Sequence, residues 1–140
     1  MIEPKFAGVK VDDELPALTM PPVTRQTLAI YCGASGDHNP IHVDLDFARE
    51  SGLDDVIAHG MLVMAYLGRL LTSWVGQDAI RSFDTRFQAM TQVGDAITAS
   101  GRVVEKFTDG DKNCVRIDLA ASNQSGELKA SGTAVVTLNE

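Results

Sequence analysis

His59-Gly60-Met61-Leu62-Val63-Met64-Ala65-Tyr66-Leu67-Gly68-Arg69-Leu70-Leu71-Thr72-Ser73-Trp74-Val75 is the stretch that decides how this chain folds. Met61 to Leu67, Leu70, Leu71 and Trp74 put apolar groups on nearly every side of a helix, and a helix apolar all round is a buried one. The apolar run from Met61 to Leu71 is too short to span a bilayer and contains Arg69, so protein must cover it. The helix should stop near Val75-Gly76.

Its cover lies downstream. Ile97, Ala99, Gly101 and Val103 alternate with other residues, as do Val115, Ile117, Leu119 and Ala121. Leu128, Ala130, Gly132, Ala134, Val136 and Leu138 alternate with Lys129, Ser131, Thr133 and Thr137. A period of two marks half-buried strands. Asp109-Gly110 and Ser125-Gly126 supply the turns between them. A fourth strand is expected over Ser82 to Met90. An antiparallel sheet with one apolar face needs a helix on that face. The expected architecture is therefore α+β, a curved antiparallel sheet wrapped around a central helix at about residues 59–75.

Upstream, Met1 to Pro22 is broken by Pro4, Gly8 and Pro16 and reads as an extended lead-in with one or two short strands. Thr24 can cap a helix carrying Leu28, Tyr31, Cys32 and Ser35 on one face and ending near Gly36. Pro40 keeps Asp37 to Asp44 out of regular helix. A short helix should follow from Leu45 to Ser51, with Gly52 as its stop, and then an irregular piece from Leu53 to Ala58.

The chain has 140 residues, which fits a single domain over 1–140. Apolar residues make up 44% and charged residues 22%, the balance of a globular protein. The net charge of -7 lacks the basic footprint of a nucleic-acid binder. Cys32 and Cys114 show no metal spacing and read as buried free thiols. Met1 to Phe6 lack the apolar core of a signal peptide, so no membrane association and a cytoplasmic location are the expectation.

The three histidines, His38, His42 and His59, all fall in or beside the irregular region, together with Asp37, Asp44, Asp46, Asp54 and Asp55. Asp37 and His42 flank the Asn39-Pro40 turn, which can aim both into one pocket. Two such groups around one water are what proton transfer to and from that water requires. A third requirement is a donor for developing negative charge, and the Gly60 N–H at a helix start can serve. The bland alternative is a capped turn and a satisfied loop histidine. His38 and His42 at four-residue spacing with Asp44 are the residue types of a metal site, but Pro40 breaks the helix such spacing needs, so no metal is expected. His59 reads as structural, holding the loop against the helix start.

The ordered run Ser35-Gly36-Asp37-His38-Asn39-Pro40-Ile41-His42-Val43-Asp44, then Ala48, Gly52 and Ile57-Ala58-His59-Gly60-Met61, resembles the signature of the MaoC-like (R)-specific enoyl-CoA hydratases. Arg86-Phe87 and Val93-Gly94-Asp95 resemble a second block of that family. The resemblance implies a hot-dog fold, with Asp37 and His42 as the catalytic pair and Gly60 in the oxyanion hole. Ser35, Gly36, Asn39, Pro40 and His59 form the supporting loop. It further implies a hydratase or dehydratase interconverting trans-2-enoyl and (3R)-hydroxyacyl thioesters of coenzyme A or acyl carrier protein, without a cofactor. Met61, Met64, Gly68 and Leu71 are the candidate acyl pocket, Gly68 leaving room for a longer or bulkier chain. The segment Leu71 to Gly76 is similar to the B subunit of mycobacterial-type (3R)-hydroxyacyl-carrier-protein dehydratases. A heterodimeric dehydratase subunit and a hot-dog thioesterase are the alternatives. A homodimer is expected, a heterodimer being the other possibility, because a lone sheet leaves open edges.

Overall fold

The computed structural model describes residues Met1–Glu140. In chain order it contains β1 (Leu18–Thr19), α1 (Arg25–Ser35), α2 (Leu45–Glu50), α3 (Gly60–Trp74), β2 (Ile80–Phe87), β3 (Thr98–Asp109), β4 (Lys112–Ser122) and β5 (Leu128–Thr137). The caps follow the sequence. Thr24 Oγ1 accepts from the Thr27 amide at 3.1 Å and starts α1. Gly36 ends α1 in the left-handed region at φ 75°. Asp44 Oδ1 accepts from the Phe47 amide at 3.1 Å and starts α2.

The five strands form one antiparallel sheet in the order β1-β3-β4-β5-β2. β3, β4 and β5 are a meander, its turns carried by Gly110 and Gly126, both at positive φ. β2 precedes that meander in sequence yet pairs with β5, Phe83 opposite Ala134 and Phe87 opposite Ala130. The sheet closes over α3. Leu67, Leu70 and Leu71 are fully buried against Val103, Val115, Ile117 and Val136 in one continuous core. Burial of this apolar face, at about 25 cal/mol per Å², is the main force holding the helix in the sheet.

Three expectations change. α3 is not buried all round: Met61, Ala65, Arg69 and Ser73 are exposed, one row at four-residue spacing. A five-stranded sheet covers the other sides of the helix and leaves this one. The fourth strand begins at Ile80 and ends at Phe87 rather than Met90, because the Gln88 and Ala89 amides both turn onto the Lys129 carbonyl. The alternation expected for β5 fails at its start. Lys129 points inward at 3% exposure, while Leu128 is 38% exposed. A register irregularity sets Ser122 opposite Leu128 but Ala121 opposite Ala130, which leaves Lys129 as the extra residue of a bulge. No helix is long and apolar enough to cross a membrane.

Candidate active site

The segment between α1 and α2 is built by short side chains that bond to their own backbone. Ser35 Oγ donates to the Tyr31 carbonyl at 2.7 Å and accepts from the Asp37 amide at 3.1 Å. Asp37 Oδ1 accepts from the Asn39 amide at 3.2 Å, and Asn39 Oδ1 accepts from the Ile41 amide at 3.1 Å. These are Asx-type turns, which such residues form readily. Pro40 then opens a single 3-10 turn ending at His42. Ser35, Gly36, Asn39 and Pro40 thus shape the loop that aims Asp37 and His42.

The structure brings that pair together. His42 Nδ1 lies 2.7 Å from the Ile57 carbonyl oxygen. A carbonyl only accepts, so Nδ1 carries the proton and Nε2 is left with a free lone pair. Nε2 faces Asp37 Oδ2 at 3.9 Å. That is too long for a hydrogen bond. It suits an oxygen seated about 2.8 Å from each. The His42 side chain is nearly buried, and that of Asp37 is half exposed.

His59, 1% exposed, lies under this pair. Its ring stacks on His42 at 3.7 Å between centroids, and Tyr31 meets it edge-on at 4.7 Å. Its Nε2 donates to the Asp37 carbonyl oxygen at 3.2 Å, with Cys32 Sγ 3.4 Å away. Its Nδ1 is buried without a partner. Burial holds the His59 imidazole below the ordinary histidine range; the neighbouring His42 pushes the same way, and the Asp37 carbonyl and carboxylate oppose both. A neutral ring can stack on His42, whereas a charged one would repel a charged His42. Burial and the Asp37 carboxylate together raise the Tyr31 hydroxyl. His59 is thus packed between His42 and Tyr31 and tied to the Asp37 backbone.

Asp37, His42 and His59 offer donor atoms within 4.8 Å of one another. Two stacked imidazoles direct their in-plane lone pairs along nearly parallel planes, which do not converge on one ion. His59 Nε2 is also committed to the Asp37 carbonyl. The geometry suits proton handling better than metal ligation.

Gly60 opens α3 directly after His59, which gives no side-chain cap bond to the first turn. The Leu62 amide turns back onto the His59 carbonyl at 3.1 Å, while the Gly60 amide takes no backbone acceptor and sits at the positive end of the helix dipole. A Cβ at Gly60 would meet the Phe87 ring at 3.2–3.3 Å, so glycine keeps this approach narrow but open. A cavity of about 360 Å³ runs from here, lined by His42, Gly60, Val63, Phe87, Met90 and Lys129 among others. It does not use the expected acyl pocket. Met61 is 53% exposed, Met64 and Gly68 are half-buried beside it, and Leu71 is sealed in the core. On α3 the cavity takes Gly60 and Val63, one turn apart on another face. Sequence reading missed the Ile57 carbonyl, Met90 and Lys129. Ile57 stood in the first signature run, but only as a residue type, and Phe87 in the second block.

A family profile described as "MaoC like domain" matches residues 8–124. The chain is 31% identical over 113 residues to the "(R)-specific enoyl-CoA hydratase" of Aeromonas caviae, covering 79% of this chain and 83% of that protein. It is 34% identical over 82 residues to a "Fatty acid synthase subunit beta" of Gibberella zeae, 56% of this chain but 4% of that protein. The chain thus spans a small part of the fatty acid synthase subunits it matches. Among solved structures, R-hydratase PhaJ1 from Pseudomonas aeruginosa superposes with a TM-score of 0.84 at 26% identity, covering 97% of this chain and 86% of that one. The curved five-stranded sheet around α3 is the hot-dog fold of these R-hydratases.

Proposed function

The chain belongs to the MaoC-like domain family, and from that premise we propose that it is a hydro-lyase, one hot-dog domain over residues 1–140, that adds water to trans-2-enoyl thioesters or removes it from (3R)-hydroxyacyl thioesters. The observation that carries this reading is the gap of 3.9 Å between Asp37 Oδ2 and His42 Nε2, with His42 Nδ1 anchored on Ile57. In the neutral tautomer both facing atoms are acceptors. A water between them donates both hydrogens and turns its lone pairs outward, toward an electrophile.

In hydration, the water oxygen bonds to C3 of the enoyl chain while one of its protons passes to the pair. The C2–C3 π electrons move toward the thioester oxygen, and the Gly60 N–H stabilises the charge that collects there. The pair then returns a proton to C2. Water's oxygen and both hydrogens end on the product, and no electrons leave the substrate, so the side chains suffice. Asp37 and His42 act as a coupled pair, and no single residue is assigned as the formal base. Val63, Phe87 and Met90 give the acyl chain an apolar wall. The carrier is coenzyme A or acyl carrier protein.

The test is a spectrophotometric assay of trans-2-enoyl-CoA over several chain lengths, with a thiol reagent present. Loss of the conjugated absorbance without thiol release is the expected result. Thiol release would instead mark a thioesterase and defeat the proposal.

A homodimer completes this reading. β2 is an outer strand with one unpaired edge, and Phe87 and Met90, each more than half exposed, line the cavity. Exposed apolar groups beside an open strand edge mark an interface, and a second copy would extend the sheet and wall the cavity. Sedimentation should give twice the chain mass, and Phe87→Asp should give the monomer. A monomeric parent would refute the dimer, and a different co-purifying chain would make it a heterodimer. The two buried free thiols support a reducing compartment such as the cytoplasm.

A further inference from the structure

Lys129 is a buried lysine at the cavity wall, and none of its charge is available to a ligand. An ammonium has three donors. Here they meet the Met90 carbonyl at 2.8 Å, Glu127 Oε1 at 2.9 Å and Asp95 Oδ2 at 3.2 Å. Asp95 is also buried, and its oxygens accept from the Gln92 amide at 2.8 Å and from Asn123 Nδ2 at 3.1 Å. Burial alone would lower the Lys129 pKa, but Glu127 and Asp95 outweigh it and hold the group above the ordinary lysine value. Burial likewise opposes the Asp95 carboxylate, and its bonds to Gln92, Asn123 and Lys129 hold it below its ordinary value. The pair is ionised, buried and hydrogen-bonded, and it grips both ends of the segment from Met90 to Asp95.

That segment lines the cavity with Met90 and reaches the stretch before α3 through its backbone. The Thr91 carbonyl accepts from the Ala58 amide at 2.9 Å, and Gln92 forms an isolated antiparallel bridge with Ile57. The Ile57 carbonyl is the group that fixes the His42 tautomer. A continuous chain of contacts therefore runs from Lys129 and Asp95, through residues 90–92, to Ile57 and the His42 ring.

We propose that Lys129, through the Met90 carbonyl and the Asp95 carboxylate it holds, is a positioning residue for the His42 imidazole. The proposal rests on the reading of His42 as one of the two proton-handling groups. Breaking a buried pair strands its partner's charge in the core, so the segment must move to rehydrate Asp95. Ile57 moves with it, and Nδ1–H loses its fixed acceptor. Lys129→Met keeps the stem and removes the charge. Asp95→Asn keeps the shape and an acceptor for the Gln92 amide.

The experiment reads the His42 tautomer by ¹⁵N NMR in the full chain, alongside thermal melts and steady-state hydration of a trans-2-enoyl-CoA. The parent should show a single Nδ1–H tautomer. Both variants should show a mixture, with kcat lower by about 10²-fold, the scale of a misplaced catalytic group, and KM within about threefold. Should Lys129→Met not fold, Asp95→Asn carries the test. A folded variant with the parental tautomer and kcat would overturn the proposal. A parent without hydratase activity whose tautomer still depends on Lys129 would sink the hydratase reading and leave the positioning role standing.

Discussion

Asp37→Asn is expected to lose about 10²–10⁴-fold in kcat, the range that general acid–base groups supply. Asparagine keeps the side chain's shape, and its Oδ1 can still accept from the Asn39 amide, so the turn survives. What changes is the face toward the water. An amide is neutral and can present a donor where the carboxylate accepted, so the water is no longer held by two acceptors. His42→Ala should cost at least as much, because it removes the other acceptor and also strips the stacked cover from His59. Steady-state hydration kinetics with a thermal melt for each variant make the check. If both kept near-parental kcat with unchanged melts, the pair would not be the catalytic one.

Leu67→Ala should give the largest loss of stability of any single truncation in α3. Leu67 is wholly buried near the middle of the helix, within the core. Removing its isopropyl group from a fully buried site costs about 2–5 kcal/mol, the transfer loss plus the cavity left behind. On a chain of this size that lowers Tm by roughly 10 °C. Met61→Ala, earlier in the same helix but on the exposed row, should cost about 0.5 kcal/mol or less in the dissociated chain. Urea unfolding of the two variants at low protein concentration separates them. Equal effects would mean that α3 has no inner and outer face.

The sequence showed the parts of this protein that depend on local periodicity. The strands around Ile117 and Val103, the cap at Thr24, the short helix from Leu45 and the stop at Gly36 all follow from residue spacing or side-chain chemistry within a few positions. The approach of Asp37 to His42 was legible for the same reason, because Asn39 and Pro40 shape the turn between them locally. The misses are non-local. That β2 crosses to pair with β5 depends on which strands meet in three dimensions. The exposed row from Met61 to Ser73 depends on how far the sheet curls. The inward turn of Lys129 depends on one extra residue opposite β4, since a register slip of one exchanges the faces of a strand. The lining of the cavity by Gly60 and Val63 was not legible, because composition marked Met61 and Met64 as apolar but could not say which face of α3 meets the cavity. The Ile57 carbonyl is a backbone group, invisible to any reading by residue type, yet it sets the protonation pattern of His42.

The most direct test of the central claim, that Asp37 and His42 share one water and add it across an enoyl double bond, is to incubate the parent chain with trans-2-enoyl-CoA and resolve the product by chiral chromatography. The expected product is the (3R)-3-hydroxyacyl thioester, formed with the thioester intact and lost in Asp37→Asn. A parent that is folded and dimeric yet forms no hydroxyacyl product from any chain length, or that forms only free acid and thiol, would contradict it.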